Sequence, residues 1–454
     1  SSGKAGSNSE DLEAVKKYIK EETGIDVETV IPPTGEEITK LNMMLASQEP
    51  IDLFWDEWTK YANDGAIQPL TKLINENGSS ITDAWGDNMD QVTDKNGDIY
   101  GVPRLAPLVT YPVYVRTDWL NEIGKEAPTT IDELEEVLKL FKEKDPAGNG
   151  KTIPLMTTKG SKGMEEINMT FAAGFMGAGY GYYIDSTDNA VKPSVLNPGY
   201  KDFVSKMADW YSKGYIYKEA FATDKKTARE MVRQGTIGSS AMWYSTITMQ
   251  APYINETDPD AGYTLCVITG PKGKCGTVGD KNAKAALVPT YSTNADLVVK
   301  YMNWVYEDVE HHIITENGIE NVNWKYADKE NHIIETINSN YIGDLVAGQG
   351  VVMEAKYAFN DPIKVMHYDY LHNEIAKKDR AQAQSTADII FNKSQLSDAT
   401  GNLEDIERMT TEEVVKFIIG ARPMSEFDSF IQKLYDIGID KEIKELTRQY
   451  NEAK

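Results

Sequence analysis

The amino-acid sequence predicts an α/β chain folded as two lobes joined by a hinge. Three observations carry that prediction. Amphipathic helical stretches alternate with short, isolated runs of β-branched and aromatic residues along the whole chain, which is the pattern of α/β architecture. The 454 residues require two or three domains, or two large lobes, at roughly 100 to 200 residues per domain. No long Pro-rich or Gly-rich linker divides the sequence, and no repeat with a period of about 20 to 50 residues is visible, so ordered strands are expected to pass between the lobes.

Ser1 to Ser9 (SSGKAGSNS) is too small and polar to bury surface, and a flexible tether is expected there. A helix follows from near Glu10, with Leu12, Val15 and Ile19 on one face. Short β-type runs are expected at Val27 to Ile31, Ile51 to Trp55, Leu108 to Arg116, Gly238 to Tyr244, Tyr263 to Ile268 and Ala286 to Tyr291. Thr130 with Glu133 reads as a capping box ahead of Leu134, Val137, Leu138 and Phe141, and Thr410 with Glu413 reads the same way ahead of Val414, Phe417 and Ile418. Further helix faces lie at Phe203, Met207, Trp210 and Tyr211, at Val298, Tyr301, Met302 and Val305, and at Phe427, Phe430, Ile431 and Leu434. Mostly parallel sheets are expected, with ligand crevices at the carboxyl ends of strands. Tyr111 to Arg116 and Ala286 to Thr290 are the expected crossing strands, which gives lobe one residues 1–113 plus about 290–340, and lobe two residues 114–289 plus about 341–454.

Composition narrows the partners. Lys+Arg 47 against Asp+Glu 71 leaves a formal charge of -24, which repels nucleic-acid backbones and anionic lipid headgroups. No run of 18 or more apolar residues offers a membrane span. The sequence holds no Walker loop, no G-x-S-x-G elbow and no H-E-x-x-H. The glycine-rich stretch Gly174 to Gly179 lacks a preceding strand and reads as a flexible loop, while His311 and His312 are adjacent and read as an exposed helix end. No cofactor is implied. Cys266 and Cys275 flank a Gly-Pro turn signal, and both pairing and two free thiols are compatible with that spacing.

Aromatic residues mark the candidate site. The chain carries 25 Tyr and 8 Trp against 11 Phe, favouring rings with a flat apolar face and a hydrogen-bonding edge. Sugar rings need such platforms, with Asp, Asn, Arg or Glu in the ring plane. Trp55-Asp56-Glu57-Trp58 ends an expected strand, Tyr111 and Tyr114 flank the expected hinge, Tyr180 follows the glycine-rich stretch, Trp243-Tyr244 ends another strand, and Asn323-Trp324 sits between helices. Arg104 follows Gly101-Val102-Pro103 and is the remaining ligand candidate. Trp210 and Trp304 fall in helix-periodic stretches and are expected in the core.

Several motifs in order resemble the extracellular solute-binding proteins of ABC importers, family 1 carbohydrate-binding type, in the LipO-like lipoprotein branch of Gram-positive bacteria. They are Leu41-Asn42-Met43-Met44-Leu45 with Ile51-Asp52-Leu53-Phe54, Asp64-Gly65-Ala66-Ile67-Gln68-Pro69-Leu70, Gly97-Asp98-Ile99-Tyr100-Gly101-Val102-Pro103, Val115-Arg116-Thr117-Asp118-Trp119-Leu120 and Ala127-Pro128-Thr129-Thr130. Gly270-Pro271-Lys272-Gly273 is similar to the turn before the second hinge strand, and Glu426-Phe427-Asp428-Ser429-Phe430 to the terminal helix. The resemblance implies a two-lobed periplasmic-binding-protein-like fold with a hinge and an inter-lobe ligand cleft. It implies a monomeric, non-catalytic receptor that captures an oligosaccharide and delivers it to ABC transporter permease subunits, held outside the cell by an N-terminal lipid in the precursor. The chain departs from the family in leading directly from tether to helix, so the usual opening strand is expected to be missing. The stretch Asp145 to Lys151 resembles an EF-hand-like calcium loop, with Asp145 and Asn149 as ligand candidates, but Ala147, Lys151 and Met156 stand where oxygen ligands are needed and a plain turn is expected. Other readings of the residues are a secreted glycoside hydrolase or polysaccharide lyase, which needs only two suitably spaced carboxylates, and a cleft binder of a peptide or cationic ligand at Asp56 and Glu57.

Overall fold

The computed structural model of the chain describes residues 7–30, 32, 36–104, 111–160, 163–243, 246–247, 250, 254, 258–266, 268–273, 276–278, 284–343, 345, 351–354, 356–360, 382–383, 386 and 389–453. The chain divides into two units, Ser1–Ala106 with Lys281–Tyr368 and Pro107–Asp280 with Asp369–Lys454. The strands expected to cross between lobes each lie inside one unit: Val113–Arg116 in the second and Lys284–Leu287 in the first.

In the first unit, Phe54–Glu57 pairs antiparallel with Lys284–Leu287, which pairs antiparallel with Val102–Pro103. Pro103 fits there because an edge strand does not require its missing N–H. Helices Ser9–Thr23, Ser79–Trp85 and Ala295–Glu307 contribute Val15, Ile19, Ile81, Trp85, Val299 and Met302 to a core built on Phe54, Val102 and Leu287. A smaller sheet joins Trp324–Asp328, Ile333–Thr336 and Ala358–Phe359. Residues 25–30 hold no strand. The described end of the expected tether is held in place: the Asn8 amide donates to Asn340 O at 2.8 Å, and the Asn8 side chain caps the first helix at the Glu10 amide.

In the second unit a four-stranded sheet runs in the order Ile153–Met156, Ile237–Ala241, Val113–Arg116, Tyr263–Cys266. Only its first pair is parallel. The expectation of mostly parallel sheets is therefore corrected in both units. Val113–Arg116 and Lys284–Leu287 each follow a passage of the chain from the other unit, so no crossover helix forces them to run parallel to their neighbours. Helix Ile131–Lys144 carries the expected capping box at Thr130 and Glu133 and buries Leu134, Val137, Leu138 and Phe141. Gly238 is required beneath it, since a Cβ there would lie 2.5 Å from Phe141 and 2.8 Å from Trp119.

Other expectations are overturned by packing. Helix Leu403–Ile418 runs unbroken through Thr410, whose hydroxyl donates to Ile406 O at 2.8 Å, so Thr410 is no cap. Gly174 belongs to the helix Ala173–Met176 rather than to a flexible loop. Its backbone explains the glycine opposite, since a Cβ on Gly270 would lie 2.5 Å from Gly174 Cα. His312 is buried, and His311 stacks on Trp304 at 4.3 Å, so neither marks an exposed helix end. Phe427–Asp436 is followed by a further helix, Ile439–Ala453, and is not terminal. Trp210 and Trp304 lie in the core as the periodicity predicts. Cys266 is a buried free thiol that burial pushes up to about 12, and Cys275 lies outside the described residues. No helix among the described residues is long and apolar enough to cross a membrane.

Candidate functional site

The register of the four-stranded sheet brings several chain segments to one edge. Ile153–Met156 and Ile237–Ala241 run together, and Val113 faces both Ala241 and Cys266. The carboxyl ends of three strands therefore meet the start of the fourth, which is where α/β folds present ligand-binding groups. Thr158, Trp243 and Tyr111 all emerge there.

Trp243 is half-buried, two residues beyond its strand. Its ring meets Tyr111 edge-on, with centroids 5.5 Å apart at 79°, and the Lys225 ammonium sits 5.9 Å from the indole centroid. Tyr111 is buried. Its hydroxyl donates to Glu165, and its backbone carbonyl accepts from the Thr170 hydroxyl at 3.0 Å. Burial, with the carboxylates of Glu165 and Glu166, holds the phenol protonated well above its ordinary range. Glu166 is 1% exposed and accepts from the Thr158 amide at 3.0 Å and the Thr158 hydroxyl at 2.6 Å. Burial raises its pKa, while those hydrogen bonds and the Lys225 charge oppose the rise.

The acidic pair starts a helical run, Glu165–Ile167, that continues through a π-helical turn at Asn168–Ala172 into Ala173–Met176. Such turns carry one extra residue per turn and often occur at functional sites. This one aims Asn168 at two phenols: its amide donates to Tyr180 Oη at 3.1 Å and accepts from Tyr200 Oη at 2.9 Å. Tyr180 is half-buried and stacks on Tyr200. The sheet edge thus combines a partly exposed indole, a carboxylate and phenols, groups able to stack on an apolar ring face and bond hydroxyls at its rim. Glu165, Glu166, Thr158 and Lys225 were not singled out by the sequence. No periodicity or motif marks them, because their partners lie far along the chain.

The first unit gathers a second set. Glu57 pairs with Lys284, and the Arg104 amide donates to Lys284 O at 3.3 Å, so Glu57, Lys284 and half-buried Arg104 share one sheet end. Asp56 accepts from the Tyr61 hydroxyl at 2.6 Å and lies 3.8 Å from Lys60 Nζ. Trp55 is half-buried against the core of its unit.

Four expected ligand residues are buried within their own units. Trp58 is buried, stacks on Tyr100 at 5.3 Å and donates to Gln91 O at 2.7 Å. Tyr114 is 1% exposed in the middle of the sheet. Trp324 is 2% exposed and donates to Gly318 O at 2.7 Å. Asn323 is 1% exposed, accepting from the Ile319 amide at 2.9 Å and donating to Asn338 at 3.1 Å. Trp58, Trp324 and Asn323, each at an element end, hydrogen-bond to nearby groups of their own unit, while Tyr114 is enclosed between two neighbouring strands. Tyr111 is likewise buried and meets Trp243 edge-on. Tyr244 lies outside the described residues. Asp145 accepts from the Gly150 amide at 2.6 Å and the Thr152 amide at 3.1 Å, closing a turn in which Asn149 adopts a left-handed φ of 58°. Among the described residues, no group of three or more His, Cys, Asp or Glu side chains is placed to hold a metal ion.

A family model described as bacterial extracellular solute-binding protein matches residues 5–310, about two thirds of the chain. The chain is 23% identical to Lipoprotein LipO of Bacillus subtilis (strain 168), over 98% of this chain and 89% of that protein. It is 28% identical to the fructooligosaccharide ABC transporter substrate-binding protein FusA of Streptococcus pneumoniae, over 55% of this chain and 48% of that one. Among solved structures, the N-glycan transport solute binding protein NgtS of Streptococcus pneumoniae superposes with a TM-score of 0.75 at 18% identity, covering 99% of this chain and 96% of that one.

Proposed function

The chain belongs to the bacterial extracellular solute-binding protein family, and we propose that it is the substrate-binding component of an ABC importer, capturing an oligosaccharide and presenting it to the membrane permease. One observation carries the choice of ligand: a half-buried tryptophan at the carboxyl ends of a sheet, propped by a tyrosine and flanked by a carboxylate. Relatives named for fructooligosaccharide and N-glycan transport support the same class. On this reading the protein is a monomeric receptor and not a catalyst. The likeness to a lipoprotein supports a lipid anchor at the N-terminus of the precursor. Trp55, Asp56, Glu57 and Arg104 are the contribution expected from the first unit.

A thermal-shift screen against a glycan panel tests the proposal, because ligand at 100 times Kd adds about 2.7 kcal/mol of stability. Failure of every oligosaccharide to shift the transition would overturn it. Incubation with the same panel should release no products. Hinge closure on the ligand is part of the proposal, and small-angle scattering should then show a smaller radius of gyration with the cognate glycan than without it.

A further inference from the structure

We infer that the loop joining helix Ile131–Lys144 to strand Ile153–Met156 keeps the shape of a calcium loop but is closed by the Thr152 hydroxyl in place of an ion, so that the second unit folds without calcium. The spacing of oxygen donors carries the first half of this. A calcium loop of about 12 residues places oxygens at its first, third, fifth, seventh, ninth and twelfth positions, with a glycine at the sixth. Counted from Asp145, Asn149 is fifth and Gly150 sixth, and Gly150 makes its turn with a φ of 70°. The third, ninth and twelfth positions are Ala147, Ile153 and Met156. Ile153 and Met156 belong to the four-stranded sheet, where they pair with Ile237 and Ser240 and are 8% and 0% exposed. Asp145, Asn149 and the Lys151 carbonyl are too few for the about six to eight oxygens that the ion takes, and the Lys151 ammonium adds a repelling charge to the loop.

The hydrogen bonds carry the second half. The Thr152 hydroxyl accepts from the Ala147 amide at 3.0 Å and donates to the Asp145 carboxylate, joining the third position of the loop to the first. The same carboxylate accepts from the Gly150 amide at 2.6 Å and the Thr152 amide at 3.1 Å. Two backbone bonds complete the turn, from the Gly148 amide to Asp145 O at 2.8 Å and from the Lys151 amide to Gly148 O at 3.1 Å. An ion would draw the first and third positions towards one centre; here a single hydroxyl does so as donor and acceptor at once. The Thr152 hydroxyl, with the Gly150 and Thr152 amides, holds the Asp145 carboxyl below its ordinary range. Strand Ile153–Met156 leads from this loop towards Thr158 at the sheet edge, so the loop fixes where that strand begins.

Thermal unfolding of the full chain, in calcium and in a chelator, tests both halves. The expected result is the same transition midpoints in both media. Thr152→Val keeps the side chain's shape without the hydroxyl and should lower the second unit's midpoint by about 2 to 4 °C, and calcium should not restore it. Thr152→Ser, which keeps the hydroxyl, should stay near the wild type. A wild-type midpoint that rises in calcium, with the rise lost in Asp145→Asn, puts an ion on the loop and overturns the inference. Calcium rescue of Thr152→Val overturns it as well, and an unchanged midpoint in Thr152→Val overturns the role of the hydroxyl. If the valine variant does not fold, Thr152→Ala reads the same loss. On the receptor reading above, glycan Kd should be equal in the two media; failure of every glycan to bind would overturn that reading and leave the loop assignment standing.

Discussion

A tryptophan beyond a strand end serves either the core or a ligand, and burial separates the two. Trp243 keeps part of its ring exposed, whereas Trp324 is 2% exposed with its indole N–H bound to Gly318 O. Trp243→Ala is expected to lose more than about tenfold in glycan Kd while costing about 1 kcal/mol of stability. Trp324→Ala should cost about 3 to 5 kcal/mol of stability and leave affinity intact. Titration calorimetry and chemical denaturation of both variants check the contrast. Glu442 gives a second prediction at this scale. It is 3% exposed, and burial together with the charge of Glu407 raises its carboxyl to about 7. The folded state therefore keeps a proton that the unfolded chain releases above about 4.5. The stability this contributes is fully present below the unfolded value and is lost as pH rises through 7. Glu442→Gln should match the wild type near about pH 5 and exceed it by on the order of 2 kcal/mol near about pH 8, as denaturation at the two pH values would show.

Two threonines with the same local sequence signature behave differently as parts of helices. The Thr130 hydroxyl accepts from the Glu133 amide, and the Glu133 side chain returns to the Thr130 amide. Thr410 lies inside a continuous helix. Thr130→Ala should cost about 1 kcal/mol, while Thr410→Ala should be neutral or slightly stabilising because alanine is the better helix former. Equal effects in urea denaturation would contradict this assignment. In the sheet, Gly238→Ala drives a methyl into Phe141 and Trp119 and is expected to cost about 1 to 3 kcal/mol. Periodicity located every long helix named from the sequence, because a buried face repeats every 3.6 residues whatever it packs against. Strand direction was not legible, because it depends on which distant segment lies alongside. The same limit hid Glu165 and Lys225, which meet the Tyr111 and Trp243 pair only when distant segments reach one sheet edge.

Each unit carries its own hydrophobic cluster, one around Ile19, Trp85, Leu287 and Met302, the other around Phe141, Phe203, Trp210 and Phe430. Separate cores favour separate cooperative transitions, so calorimetry without ligand should resolve two unfolding events; a single transition with equal calorimetric and van't Hoff enthalpies would refute that. By itself the sequence determined the α/β class, the division of labour between helix faces and short strands, the acidic surface and the family resemblance, since these follow from composition, periodicity and motifs read in order. Only the tertiary structure decided which aromatics face outward. Trp58 and Trp324 share with Trp243 the residue type and the strand-end or loop position that suggested a sugar platform, and Tyr114 was expected beside the hinge. Burial is a property of everything packed around a side chain, and those neighbours come from segments that the linear sequence keeps apart.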